Sequence, residues 1–433
     1  MNDFTVTQLE DRTDVNGAGI LSNLRDLRRH VREAISAAPV IDLHTHLFAP
    51  QFGGLSLSGI DDLLNYHYLI AELFRYSDVS PTDFWRWEKR SQADLIWRTL
   101  FVENTPLSEA TRGVIAVLSA FGLDTRAQDL REARDFFASQ ESGKYLETVL
   151  SIAGVSDIVM TNDPLDEAEM EVWNSGKEID PRFHAALRLD RILNGWTEAA
   201  PLMSIQGYKV SEDLDDETIN ETRRFLEDCI AKMKPLYLGV SLPDDFAYPE
   251  DSHRGKLIKE AILPTCREHG LSLALMIGVR RRVNPALKLA GDGVGRADVS
   301  TLARICEENP DVRFLSTFLS RENQHELCVA ARKFSNLMPF GCWWFLNNTS
   351  IVAEITRERF EMLGTSFIPQ HSDARILDQL IYKWGNSRDA IADALFESYA
   401  ALCSDGRQVT RGEIERDVAK LLTGNFRDWV GIA

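Results

Sequence analysis

Eight short apolar runs rich in strand-forming residues, separated by stretches long enough for crossover helices, leave this 433-residue chain few folds to choose from. They are VIDLHTHL at 40–47, SDIVMTN at 156–162, FHAALRLD at 183–190, LYLGVSLP at 236–243, LSLALMIGVR at 271–280, DVRFLSTFLS at 311–320, NLMPFGCWWF at 336–345 and GTSFIPQHSD at 364–373. Parallel strands with intervening helices fit a (β/α)8 barrel, whose ligand-binding loops leave the carboxyl ends of the strands. An open doubly wound sheet is the rival, but no glycine-rich dinucleotide loop follows the first run. Nor would an open sheet set its first strand beside its last.

About a hundred residues separate the first run from the second, far more than a βα unit requires. Helical patterns fill this stretch, including DDLLNYHYLIAELFRY and segments at 82–102, 108–121 and 127–137. The expected fold is therefore α/β, a distorted (β/α)8 TIM barrel with an α-helical insertion after strand 1. Its divisions fall at 1–48 (N-terminal helix and first strand), 49–144 (insertion), 145–385 (remaining barrel) and 386–433 (C-terminal helical cap). Leu21, Leu24, Leu27 and Val31 give residues 20–37 the apolar face of a helix, expected to seal one end of the barrel.

The first run ends in His44 and His46. On a strand, the period of two puts both imidazoles on one face about 7 Å apart along the chain, where they can share one Lewis-acidic ion. Asp42 has the same parity, while Ile41, Leu43, Thr45 and Leu47 are expected to face a covering helix. An isolated HxH is more often an ordinary alternating pair. QHSDAR at 370–375 changes that balance, because a closed barrel sets the last strand beside the first. Asp373 can there bind a metal and exchange a proton with a ligand, although the position also suits the N-cap of a helix starting at Ser372 or Asp373. His371 could face the site or pack.

Arg188 and Arg375 bring guanidinium forks to the mouth of an acidic protein, suited to an anionic ligand, with pairing to Asp190 or Asp42 as the plain alternative. Arg280, Arg281 and Arg282 extend this rim. His67 and Tyr68 diverge by about 100 degrees on a helix, so one could reach over the barrel mouth while the other packs. Taken by itself, NYHYLIAELF favours packing for both. Trp343 and Trp344 are expected on opposite sides of the seventh strand, one lining the pocket and one packing outward, though core packing would explain both. In SRENQHEL, Arg321, Asn323 and His325 are further candidate ligand contacts.

A net charge of -18 leaves no basic face for nucleic acid. Six scattered cysteines with no CxxC pair suit a reducing compartment. The first thirty residues show neither a signal-peptide pattern nor a membrane-length apolar run, so the cytoplasm is expected and no membrane partner. HExxH, Walker and GxSxG motifs are absent as well.

In order along almost the whole chain, DLHTHLF, the YHY of the insertion, ALRLD, GCWWFLNN and SFIPQHSDAR resemble the uronate isomerase (glucuronate isomerase) family. That family is a divergent branch of the metal-dependent amidohydrolase superfamily. The resemblance implies an intracellular enzyme interconverting D-glucuronate with D-fructuronate and D-galacturonate with D-tagaturonate. It implies one divalent metal ion, usually Zn2+, with His44, His46 and Asp373 as ligands and Arg188 and Arg375 around the sugar acid. His67 and Tyr68 match insertion residues that close over the ligand, which reverses the packing preference. On this reading Asp373, with Tyr68 or His67, moves the proton between C2 and C1 through an enediolate. The fifth and sixth runs carry no histidine, against a two-metal hydrolase. A single-metal hydrolase of an acidic amide or lactone is the alternative, and a non-catalytic barrel offering its acidic surface to proteins a third. The expected partner is a small sugar acid, and a homo-oligomer is compatible with the sequence.

Overall fold

A computed structural model describes residues 19, 21 and 23–432. Its parallel strands are β1 (Val40–Thr45), β2 (Val155–Asn162), β3 (Phe183–Arg188), β4 (Tyr237–Pro243), β5 (Ser272–Arg280), β7 (Phe314–Phe318) and β8 (Leu337–Pro339), neighbours in that order. Between them in sequence, β6 (Gly293–Val294) adds two antiparallel residues to the end of β5. β5 is buried along all but its last residue, as a parallel strand covered on both faces should be. The sheet curls, and residues 366–374 take the place between β8 and β1. On one side Ile368 N donates to Pro339 O at 3.0 Å and Gly341 N to Ile368 O at 3.0 Å. On the other, Asp373 N donates to His44 O at 3.2 Å and His46 N to Ala374 O at 2.7 Å. Pro369 has no N–H to give, so this run forms one isolated bridge, Phe340 with Ile368, instead of a regular strand. The fold is thus a distorted (β/α)8 barrel.

Alternate strand residues such as Ile41, Leu43, Val159, Tyr237, Met276 and Leu315 form the interior cluster. The first helix, Leu24–Ala37, buries Leu27, Val31 and Ile35 in an outer layer that includes Leu380, Trp384 and Ile391 of the long helix Gln379–Ser404. It does not seal the barrel: Phe426, from the C-terminal helix Asn425–Val430, reaches the interior cluster instead. Residues 20 and 22 of the expected helix, and 1–18 of the leader reading, lie outside the described residues. The insertion has its own core, built from residues such as Ile60, Leu64, Leu73, Phe84 and Ile96. The divisions at 144/145 and 385/386 fall inside the helices Ser142–Ala153 and Gln379–Ser404. Among the described residues no helix is long and apolar enough to cross a membrane.

Strand β1 departs from strict alternation. Its register against β2 shifts between Asp42 and Thr45, where two steps on β2 match three on β1. The additional residue reverses parity locally. Ile41 and Leu43 therefore face the barrel interior rather than a helix, and Asp42 points away from it, opposite to the expected sharing of a face with His44. Fully buried, Asp42 accepts from Ser372 N at 2.9 Å and from Trp384 Nε1 at 2.8 Å. One carboxylate thus ties the first strand to the closing segment and to the outer helix. Burial lifts it to about 6, although both hydrogen bonds favour its charged form. The helix expected from Ser372 or Asp373 begins only at Gln379, because Asp373 has a left-handed φ of 51° and the chain between is extended or turned.

Asp42→Asn keeps one acceptor and sets an amide N–H2 against the second buried donor. We expect a loss of about 1–3 kcal/mol of stability, read as a lower urea midpoint at unchanged slope.

Candidate active site

The bulged end of β1 and the closing segment bring His44, His46 and Asp373 together. His46 Nε2 is 3.4 Å and His44 Nε2 3.8 Å from Asp373 Oδ1. One potential ligand atom from each residue lies within 4.8 Å of the others. Two hydroxyls aim the rings. Tyr237 Oη donates its single proton to Leu43 O at 2.8 Å, so it can only accept from His44 Nδ1, at 3.2 Å. Thr161 Oγ1 likewise donates to Thr45 O at 2.8 Å and accepts from His46 Nδ1 at 3.0 Å. Both protons sit on Nδ1, and both Nε2 lone pairs face Asp373.

Burial pushes His44 down to about 3, with Asp373 opposing, and holds His46 well below the usual histidine range, with Arg375 and Arg188 adding to the effect. The rings are neutral, as metal ligands must be. Among the described residues, Asp373 Oδ1 is buried without a hydrogen-bond partner. Two neutral imidazole nitrogens converging on an unpartnered carboxylate oxygen fit a divalent cation, and the donor set suits zinc among others.

Other unpartnered buried polar atoms gather near this cluster: Tyr66 Oη, His67 Nε2, Tyr68 Oη, Trp344 Nε1 and Arg375 Nε. His67 and Tyr68 open the insertion helix His67–Leu73. The His67 ring lies edge-on to Trp344 at 5.8 Å, and Tyr68 stacks on Phe345 at 6.1 Å. The insertion thus meets the loop after β8. Trp343 and Trp344 do not occupy opposite sides of a strand, because β8 stops at Pro339 and Trp344 turns with a φ of 48°. Both indoles are buried in the interior cluster, 6.0 Å apart. His371 is fully buried, its ring 5.2 Å from that of His44. Gly341 is required there: its φ is 61°, and a Cβ would come within 1.9 Å of His371 Cδ2.

Arg188 lines a small cavity with His44, His46, Thr161 and Tyr237, but Asp190 holds it through Nε at 3.0 Å and Nη2 at 3.1 Å. The plain pairing is therefore present, and it uses Nε and Nη2 but not Nη1. Burial lowers the basicity of Arg375, and Asp373 opposes it. Arg321, Asn323 and His325 are not brought to the cluster. Arg321 pairs with Glu354 at 2.8 Å on the exposed surface, His325 pairs with Glu358, and Asn323 braces the backbone of Ala297. Of the basic rim, Arg280 pairs with Asp244, whereas Arg281 pairs with Asp292 and lies 5.7 Å from the Trp344 ring. Tyr237, Thr161 and Tyr66 were not singled out by sequence, since a hydroxyl-bearing residue in an apolar stretch reads as packing.

No protein-family model matches the chain, and no curated protein matches it. Among solved structures, a uronate isomerase from Bacillus halodurans C-125 is 51% identical, over 95% of this chain and 98% of that one, with a TM-score of 0.93. The chain belongs to the uronate isomerase family. A uronate isomerase from Thermotoga maritima (14% identity, 97% and 100% covered, TM-score 0.77) shares the fold. So does a glucuronate isomerase from Caulobacter crescentus (14%, 96% and 97%, 0.73). Membership of the uronate isomerase family, with a metal-ligand cluster in place, makes the protein an enzyme of isomerase type.

Removing the hydroxyl that fixes the His44 tautomer tests the metal reading. Tyr237→Phe should weaken metal binding about 10–100-fold, measured by competition with a chromophoric chelator.

Proposed function

We propose that the protein is an aldose-ketose isomerase that interconverts D-glucuronate with D-fructuronate and D-galacturonate with D-tagaturonate. The observation that carries this reading is the unpartnered Asp373 oxygen facing two tautomer-fixed histidines, in a chain 51% identical to a uronate isomerase. His44, His46 and Asp373 would hold one divalent ion, zinc by donor type, which would supply a Lewis acid for an oxygen at C1 or C2 and lower the energy of the enediolate. Asp373 is suited to exchange a proton at the reacting carbons. Tyr68 Oη and His67 Nε2, buried and unpartnered, are candidates to donate to the other carbon oxygen. Arg375 is the stronger of the two candidate arginines for the remote carboxylate, since Arg188 has already given two donors to Asp190. Binding at that remote end would orient C1 and C2. Trp344, against His67, would shield the pocket from water. Six free cysteines, five of them buried, support a reducing compartment such as the cytoplasm.

Metal-replete protein incubated separately with the two aldoses should yield the matching ketoses, identified by NMR. Conversion of neither would reject the assignment, and hydrolysis of an acidic lactone instead would favour the single-metal hydrolase. In deuterated water, solvent deuterium at C2 of recovered aldose is expected, whereas complete retention of hydrogen would point to a hydride shift. Asp373→Asn should lower turnover by about 10²–10⁴-fold.

A further inference from the structure

Both connections between the barrel and its helical insertion line one cavity of about 620 Å³. Pro50, Gly53 and Ser58 border it from the connection that leaves after β1. Ala138, Gln140 and Ser142 border it from the one that returns, between the helices Arg131–Ala138 and Ser142–Ala153. Leu47 and Leu377 supply wall from the barrel, one residue after His46 and four after Asp373. Among the described residues, the wall includes neither of those metal-site side chains, nor His67 or Tyr68. The volume falls within the range of about 300–1,000 Å³ that small-molecule sites occupy.

The cavity lies against the junction that fixes the insertion. Asp378, fully buried, accepts from Gly59 N at 2.8 Å and from the Tyr145 hydroxyl. Leu377 N donates to Leu57 O at 2.9 Å. One carboxylate and one backbone bond thus tie the outgoing connection and the returning helix to the segment that closes the sheet. Gly59, Tyr145 and Leu377 are themselves part of the cavity wall. Phe48, Phe137, Tyr145 and Leu146 give that wall apolar surface, the Phe137 and Tyr145 rings meeting edge-on at 6.0 Å. Its charges are the cations of Lys89, Arg90 and Arg134 and the carboxylates of Asp61 and Asp62. Arg134 binds Asp61 through Nε at 3.0 Å and Nη2 at 2.7 Å and also reaches Asp94, outside the wall. Lys89 pairs with Asp62. Arg90 has no ion pair or hydrogen bond from its guanidinium among the described residues.

We propose that this cavity is a second binding site, separate from the metal cluster, for an organic anion with an apolar body, and that an occupant slows turnover by holding the insertion against the barrel. The apolar body covers the aromatic and leucine surface, and the anionic group meets Arg90. A bare inorganic anion would leave the apolar wall uncovered, and a neutral apolar molecule would leave Arg90 without a counter-charge. An occupant touching both connections resists their movement. His44, His67 and Asp373 are all buried, with the His67 ring edge-on to Trp344 at 5.8 Å, so exchange of ligand at the metal cluster requires the insertion to shift. Opening of such a cover commonly limits kcat. The binding goes beyond the isomerase reading and stands apart from it, whereas the effect on turnover rests on it.

The test uses the zinc-loaded full-length enzyme, with anilinonaphthalene sulfonate as the probe and N-phenylnaphthylamine as its uncharged counterpart. Fluorescence titration should show one saturable site for the sulfonate, about tenfold tighter than for the uncharged probe. Ala138→Trp fills the cavity from an exposed helix end and should abolish binding. Arg90→Glu sets a like charge against the sulfonate and should weaken binding about tenfold. Both variants should keep the melting temperature and the probe-free D-glucuronate kinetics of the unaltered enzyme. Saturating probe should lower kcat about threefold or more at constant KM in the unaltered enzyme, and should leave kcat of Ala138→Trp unchanged. Binding that persists in Ala138→Trp overturns the inference, as does a probe that raises KM alone, which would place it at the metal cluster. Equal affinity in Arg90→Glu overturns the choice of an anion, and binding without a change in kcat overturns the effect on turnover. Should Ala138→Trp not fold, Gln140→Trp carries the same readings. An enzyme that converts neither uronate overturns the isomerase reading, while the fluorescence titrations still decide the site.

Discussion

The sheet closes through one buried carboxylate and a few backbone hydrogen bonds rather than through a regular ladder. Residues 366–374 share few backbone hydrogen bonds with either neighbour, and Pro369 withholds one donor. Asp42 compensates by accepting from Ser372 N and Trp384 Nε1. The position matters as much as the bond. Asp42 lies two residues before His44, and Ser372 lies one before Asp373. Fixing those two points fixes how the metal-binding side chains face each other. Asp42 therefore acts on the chemistry without entering the site, and its burial is the condition for that, since an exposed carboxylate would exchange these donors for water.

The same economy governs the histidines. Each ring is set by a hydroxyl whose only proton goes to a backbone carbonyl of β1, Leu43 for Tyr237 and Thr45 for Thr161. Those hydroxyls come from β4, through the barrel interior, and from β2, the strand paired with β1. The position of β1 against β2 and across from β4 thus sets the tautomer, because each hydroxyl has committed its proton to a β1 carbonyl. Burial lowers His44 to about 3 and holds His46 well below the usual histidine range, which favours the neutral form of both imidazoles.

The eight runs, HxH and Asp373 were legible because strand spacing and the ends of parallel strands obey local rules. What escaped depended on pairs of elements. The parity of Asp42 follows from a register shift that exists only between β1 and β2. The indoles of Trp343 and Trp344 lie where they do because the chain turns at Gly341, next to His371, which leaves no room for a Cβ. Arg321 illustrates a second kind of ambiguity, since a polar segment after a strand has the same composition whether it faces a ligand or, as here, Glu354 on a neighbouring helix. Tyr237 and Thr161 are ordinary strand formers by type, and only their partners distinguish them.

Two of the five left-handed non-glycine residues among the described residues lie where these long-range constraints meet. Asp373 and Trp344 both adopt left-handed backbone, with φ of 51° and 48°. Aspartate tolerates that region better than most residues, but a tryptophan there is an outlier that its surroundings must hold in place. Burial in the interior cluster, stacking on Phe345 at 5.0 Å and the adjacent His67 ring supply that hold for Trp344. For Asp373, the left-handed turn ends the extended chain, and its carboxylate faces the imidazoles of β1. An extended residue at this point would continue the strand past the first one instead of stopping beside it. The unfavourable backbone is thus part of the ligand geometry, and the packing of the insertion against the loop after β8 helps keep it from relaxing.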